Sequence, residues 1–347
     1  MKVVIDPRCN ILYSSYYIRG LIDIFGKNNI SFSMRYFKSI DMQKESHSFD
    51  HYFAFILIID NTKINKIIID FRDKNTVKDE AYQWCDIYAK VNFNKEFTQD
   101  KYFAKIISIP PGFGIRVYNL METISYALCN LVKSLSYMPI DIKSFLLNYA
   151  ITYYIRSPIE NYTIPTKSRD NYIFFISTLW NHDNCVTNTN KLRYIFISKA
   201  RTLKNIIFEG GFKASMNNPE YEKYKDVIFT KRYSVADYVK KTKQSCCVFN
   251  TPSVHYCHGW KLGEFLAMGK AIISSAFFND LPQNLQHGDN IHIVKNEQEI
   301  GDALSLICND AIYRSNLECK AKEYYNLYAS PQAVINKILS RINKKIE

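Results

Sequence analysis

The chain has 347 residues, 47% of them hydrophobic, and a formal net charge of +12. That size and apolar content exclude a disordered polymer and supply enough core for about two domains. Nine cysteines, an odd number without metal-knuckle spacing, argue against a disulfide framework and for reduced thiols.

The first half alternates strands and helices. Lys2–Ile5 reads as a short strand. Ile18, Leu21, Ile22 and Phe25 mark a helix stopped by Gly26, and Phe32, Met34 and Tyr36 alternate as a strand. Two apolar runs, Phe53–Ile59 and residues 66–70, precede a helix-like segment at 79–89 and a strand at 106–109. This order predicts a mostly parallel sheet. After Pro110, Pro111 and Gly112 comes a long helical stretch, residues 115–155, apolar and basic, interrupted near Pro139. Pro158, Pro165 and the polar residues 166–170 read as a linker.

A second alternating series follows: a strand at 172–176, a helix at 190–201, a strand at 206–208, a turn at Gly210 and Gly211, and a strand at 227–229. Ser234 and Asp237 open a helix ending near Gln244. Asn296 and Glu299 begin a helix with Ile300, Ala303, Leu304 and Ile307 on one face. Ser330 and Pro331 start the last helix, whose stripe is Val334, Ile335, Ile338, Leu339 and Ile342.

The densest information lies at 255–280, HYCHGWKLGEFLAMGKAIISSAFFND. An apolar strand at 246–250 runs into a loop. A helix carrying Leu262, Phe265 and Leu266 then closes at Gly269 and leads to a strand at 271–275. In open parallel sheets ligands bind outside the carboxyl ends of strands, so residues 251–259 and the first helical turn should line a site. Lys261 stands in that turn with His258 just before it. Positive charge there opposes the helix dipole unless an anion occupies the spot, and a ligand diphosphate meets that need.

The segment Glu264-Phe-Leu-Ala-Met-Gly269-Lys-Ala-Ile-Ile is similar to the E-A-x-A-x-G-x-P-V-I segment of GT-B glycosyltransferases. Residues 280–294 resemble the stretch that ends their donor pocket, and the likeness covers about residues 170–345. The resemblance implies an α/β fold of two doubly wound, Rossmann-like domains with an interdomain cleft. The expected division is residues 1–165 on the acceptor side, 166–330 for the nucleotide sugar, and a 331–347 helix packing back across the junction. It further implies that Glu264 bonds the ribose of the donor. Many retaining members carry a second Glu eight residues earlier, where this chain has Tyr256, so the anomeric outcome stays open.

The activity implied is transfer of a sugar from a nucleotide-diphosphate sugar to a hydroxyl of a glycan or glycolipid, in surface-polysaccharide synthesis. The donor is a substrate, and no other cofactor is expected. The alternatives are a nucleotide-sugar epimerase on the same fold and a non-enzymatic basic adaptor for membrane or nucleic acid.

Each candidate residue has a plainer alternative. Glu264 either binds the donor or forms a surface ion pair with Lys261 three residues before it. His258 either donates to a diphosphate or caps the helix entry, and Gly259 either admits the phosphates or is an ordinary loop residue. Ser177 and Thr178, after the first strand of the second series, are placed to meet the donor or are a strand-to-loop turn. Lys231 and Arg232 either reach the nucleotide or stand solvated. Gly211 serves a tight turn, with close approach of a ligand as the other reading. Asp6 and Asp73 are the first-domain carboxylates that could activate an acceptor hydroxyl, if they are not structural.

No metal site is expected. Cys246, Cys247, Cys257, His255 and His258 lack a C-x2-C knuckle, and adjacent cysteines on a strand point to opposite faces. The first strand begins at residue 2, and the apolar run Phe53–Ile59 stops at Asp60, far short of a bilayer, so a cytoplasmic location is expected. The positive field attracts phosphates, nucleic acid or anionic lipid. The 26 tyrosines and 22 phenylalanines fall mostly in periodic segments that suit a core better than base stacking, so no nucleic-acid partner is expected. Peripheral contact with an anionic inner leaflet through residues 115–155 is expected instead.

Overall fold

The computed structural model describes residues 1–40, 52–60, 62–137 and 141–343, so the interruption expected near Pro139 lies outside the described residues. The chain divides into two compact units. The first comprises Met1–Ile159, Asp280–Pro282 and Tyr328–Glu347; the second comprises Glu160–Asn279 and Gln283–Leu327.

The first unit is built on six strands: β1 (Lys2–Ile5), β2 (Ile30–Phe32), β3 (Phe53–Ile59), β4 (Lys63–Asp70), β5 (Ile87–Lys90) and β6 (Ile106–Ser108). Their order in the sheet is β2-β1-β3-β4-β5-β6. β1 with β2, β4 with β5 and β5 with β6 are parallel, whereas β3 is antiparallel to both its neighbours. The alternation read from the sequence breaks here for a simple reason. Only three residues separate β3 from β4, far too few for a crossover, so the pair closes as a hairpin.

Phe53 to Leu57 are buried in succession, the pattern of a strand covered on both faces. On one face α1 (Ile11–Phe25) packs against the last helix, α11 (Pro331–Asn343). Their backbones meet at Gly20, where a Cβ would stand 2.2 Å from the Pro331 carbonyl oxygen. On the other face Phe37, Tyr82 and Tyr88 pack over Ala54, Ile56 and Ile68. Two expected elements are shorter than read. Met34–Tyr36 is a 3-10 turn, and the segment 79–89 divides into α2 (Asp79–Trp84) and the start of β5. The stretch 115–155 resolves into α3 (Leu120–Leu135), opened by a capping box between Asn119 and Glu122, and α4 (Ile142–Tyr154).

Between the two series α5 (Ile159–Thr163) intervenes. The second unit holds β7 (Tyr172–Thr178) parallel to β8 (Ile207–Lys213), and β9 (Val248–Asn250), β10 (Ile272–Ser275) and β11 (His292–Val294) in parallel register. β7 runs beside β9, where the Cys246 N–H donates to the Tyr172 carbonyl at 2.8 Å. The strands therefore run β8-β7-β9-β10-β11, and the order reverses between β7 and β9. Helices α6 (Asn190–Thr202), α7 (Val235–Gln244), α8 (Trp260–Met268), α9 (Glu297–Asn309) and α10 (Ala311–Tyr324) flank them. The core centres on Phe175, Phe196 and Phe249, the last two stacked at 4.6 Å.

Gly210 and Gly211 do not form a turn. Both lie inside β8 with φ of 133° and 149°, and a Cβ on them would meet the Phe175 and Val227 carbonyl oxygens at 1.9 and 2.2 Å. Their lack of a side chain admits neighbouring backbone, not a bend. The strand expected at 227–229 is reduced to a 3-10 segment, Glu222–Val227, and a single parallel bridge from Ile228 to Phe212.

Candidate functional site

The candidate site lies where the strand order of the second unit reverses, the position at which open α/β sheets bind ligands. Three segments converge: the end of β7, the loop 251–259 after β9, and the amino end of α8. That end carries no side-chain cap and no acid in its first turn, and Gly269 closes the other end in the left-handed conformation at φ 62°. The loop itself is strained, with His255 and Tyr256 both at positive φ, 54° and 58°. Such outliers in non-glycine residues are kept where the surroundings over-determine them.

Lys261 projects from the first turn of α8 across the end of β7. Its Nζ donates to the Ile176 carbonyl and lies 4.9 Å from the Phe175 ring centroid. Loss of surrounding water pulls its pKa down to about 7; the nearby Arg193 pulls the same way, and Glu264 opposes them. Arg193 is the residue that sequence reasoning missed. It is only 6% exposed; its Nε donates to Thr251 Oγ1 at 2.9 Å and its Nη1 to the Thr178 carbonyl at 3.3 Å. Burial pulls its pKa down to about 10, and the ionisable groups acting on it are the thiols of Cys185 and Cys257, not carboxylates. Among the described residues no ion pair neutralises it. Its position was legible: Arg193, Phe196, Ile197 and Ala200 share one helical stripe, and the other three are core residues.

Glu264 is buried, and one of its oxygens accepts from Tyr238 Oη at 2.9 Å. The surface ion pair with Lys261 is therefore replaced by an interior carboxylate one turn along α8. His258 is 7% exposed and meets the Phe277 ring edge to face at 5.5 Å. Gly259 has an ordinary φ of −74°, and a Cβ there would meet only Ser253 Cβ, at 3.9 Å. Ser177 is buried and Thr178 exposed at the end of β7. A cleft of about 600 Å³ shares the same loop and is lined by Pro252, Tyr256, Ser275, Phe277, Phe278 and Val294, among others. Tyr256 and Phe278 stack there at 4.9 Å.

The remaining candidates lie elsewhere. Lys231 and Arg232 are exposed; Lys231 stands 3.8 Å from Glu209, whose carboxylate also accepts from Tyr172, Tyr233 and Lys241. Gly211 is occupied by its strand neighbours. In the first unit Asp6 is fully buried and holds Arg8 through both oxygens, at 2.7 to 3.2 Å. Asp73 is half-buried near Tyr13, whose hydroxyl is pushed up chiefly by burial and also by this carboxylate. Nearby, Asp70 is clasped by Arg72, Lys90 and Tyr88, which keep its carboxyl well below the usual range despite burial.

The sulfurs of Cys246, Cys247 and Cys308 lie within 4.8 Å of one another. The two adjacent cysteines precede β9, outside the strand, so the alternation expected of them does not apply. The trio offers three of the four donors a structural zinc takes, and Lys270 and Arg314 already place positive charge beside Cys246.

No family model matches the sequence, and no curated protein matches it. Solved structures do. The chain is similar to TarM at 12% identity and a TM-score of 0.40, over 73% of this chain and 50% of TarM, so it spans about half the length of that protein. It is similar to the pneumococcal O-GlcNAc transferase GtfA, solved with UDP and GlcNAc, at 12% identity and a TM-score of 0.40, over 85% of this chain and 65% of GtfA. It is also similar to a putative UDP-N-acetylglucosamine 2-epimerase from Listeria monocytogenes, at 10% identity and a TM-score of 0.43, over 99% and 95%.

Proposed function

We propose that the chain is a GT-B glycosyltransferase that moves a sugar from a nucleoside-diphosphate sugar to a hydroxyl of a glycan or lipid-linked acceptor, in surface-polysaccharide synthesis. The observation that carries this reading is the pair Arg193 and Lys261, two desolvated cations at the end of β7 with no described carboxylate neutralising Arg193. Burying such charge costs several kcal/mol per ion unless a counter-charge arrives, roughly as ions moved from water into protein behave. A diphosphate is that counter-charge.

In the reaction the acceptor oxygen bonds to the anomeric carbon as the bond from that carbon to the diphosphate breaks. The electron pair leaves on the diphosphate, and the hydroxyl proton passes to a base. Arg193, protonated Lys261, His258 and the uncapped amino end of α8 stabilise the charge as it develops. Glu264 takes the ribose, and the aromatic-lined cleft is large enough for a sugar. The base we assign to the acceptor hydroxyl is one of the first-unit carboxylates Asp6 and Asp73, the former paired with Arg8.

Two results test the parts. Glu264→Gln keeps an acceptor for Tyr238 and should retain native circular dichroism, yet weaken donor binding in calorimetry by about 1.5 to 3 kcal/mol, the worth of a hydrogen bond to a charged group. Unchanged affinity would remove Glu264 from the site. Because protein cations neutralise the diphosphate in this scheme, transfer followed by mass detection should survive EDTA. Complete loss, restored by manganese or magnesium, would overturn that step.

A further inference from the structure

Helix α3 is turned inside out. Its buried residues are Thr123, Ala127, Asn130 and Ser134, small or polar, while Met121, Ile124, Leu128, Val132 and Leu135 are exposed, from 47% for Leu135 to 75% for Met121. The exposed five recur at spacings of three and four, so they form one continuous stripe. α4, packed beside α3, adds exposed Ile142, Leu147 and Tyr154. Helices of a water-soluble unit place such a stripe inward, and a contiguous apolar face of this kind marks a surface that something covers.

We propose that this face lies on an anionic lipid surface, a contact that does not depend on the transfer reading. The charge around it selects that occupant. Lys143 is exposed on α4, Lys133 on α3 is exposed along its stem while its Nζ donates to the Phe32 carbonyl at 3.0 Å, and Lys38 lies 5.4 Å from the ring of Tyr137, just after α3. The local carboxylates are engaged: Glu122 pairs with Lys27 at 2.6 Å, and Asp141 caps α4 through the Lys143 and Ser144 amides. A second copy would bring more of the same sign to the face, on a chain of net charge +12, whereas an anionic leaflet accepts the apolar stripe and the lysines together. None of the described helices is long and apolar enough to cross a membrane.

The test uses the full chain and sedimentation with vesicles. The wild type should pellet with phosphatidylglycerol-containing vesicles at low salt, and little with neutral phosphatidylcholine. The double variant Leu128→Glu, Val132→Glu should lose that binding while keeping native circular dichroism. Ile312→Glu, changing an 85% exposed apolar residue of the second unit, should bind like the wild type. Absence of wild-type binding at low salt, or equal binding by the α3 double variant, would overturn the proposal. So would a concentration-dependent dimer in sedimentation velocity that the same variant abolishes, since the face would then belong to a second copy.

Discussion

Replacing Arg193 with methionine should abolish measurable binding of a nucleoside diphosphate while the unit stays folded. Truncating one partner of a buried, hydrogen-bonded charge pair costs roughly 2 to 5 kcal/mol of binding, about thirtyfold to several thousandfold in affinity. Stability should not fall in proportion. The variant leaves Thr251 Oγ1 and the Thr178 carbonyl without this donor, but it also removes a desolvated cation that no described ion pair neutralises. Thermal unfolding measured with and without nucleotide separates the two effects: the unliganded midpoint should move little, and the shift produced by ligand should vanish. A large drop in the unliganded midpoint with an undiminished ligand shift would make Arg193 a structural residue.

The second large effect is one of pH. Burial holds the pKa of Lys261 near 7, so above neutrality it is increasingly uncharged. A bound diphosphate favours the protonated form and raises that pKa. Binding therefore takes up a proton in the window from about 7 up to the raised value. There, affinity should fall as pH rises, by up to about tenfold per unit, the limit for one linked proton. Calorimetry in two buffers of different ionisation enthalpy should report the uptake, and Lys261→Met should flatten the profile at a lower overall affinity.

The linkage to folding has the opposite sign. Between about 7 and the ordinary lysine value of 10.5 the unfolded chain holds a proton that the native site has released. The wild type should then gain stability relative to Lys261→Met as pH rises through that window. An affinity that rises with pH across it, or a Lys261→Met profile identical to the wild type, would remove Lys261 from the anion site.

Much of the second unit was legible because its local signals agree. Ser234 caps α7 as read, Asn296 caps α9, and Gly269 closes α8 in the left-handed conformation that its position requires. The strand, loop, helix and strand order around Lys261 is likewise the one the sequence predicts. Arg193 escaped because α6 also carries Lys191, Lys199 and Arg201, and one more cation reads as part of a solvated face. The informative sign was its phase, not its charge. Gly210 and Gly211 were misplaced because a glycine pair serves a bend and a close backbone contact equally well from sequence alone. In the first unit, the parallel order failed at β3 because loop length, not apolar content, decides between hairpin and crossover.

Calorimetric titration of the intact chain with nucleoside diphosphates and their sugar conjugates decides whether Arg193 and Lys261 hold a diphosphate. At least one nucleoside diphosphate should bind the wild type saturably, with proton uptake near pH 7.5 and loss of the signal in Arg193→Met. Absence of binding across the panel, or binding that survives Arg193→Met unchanged, would contradict it.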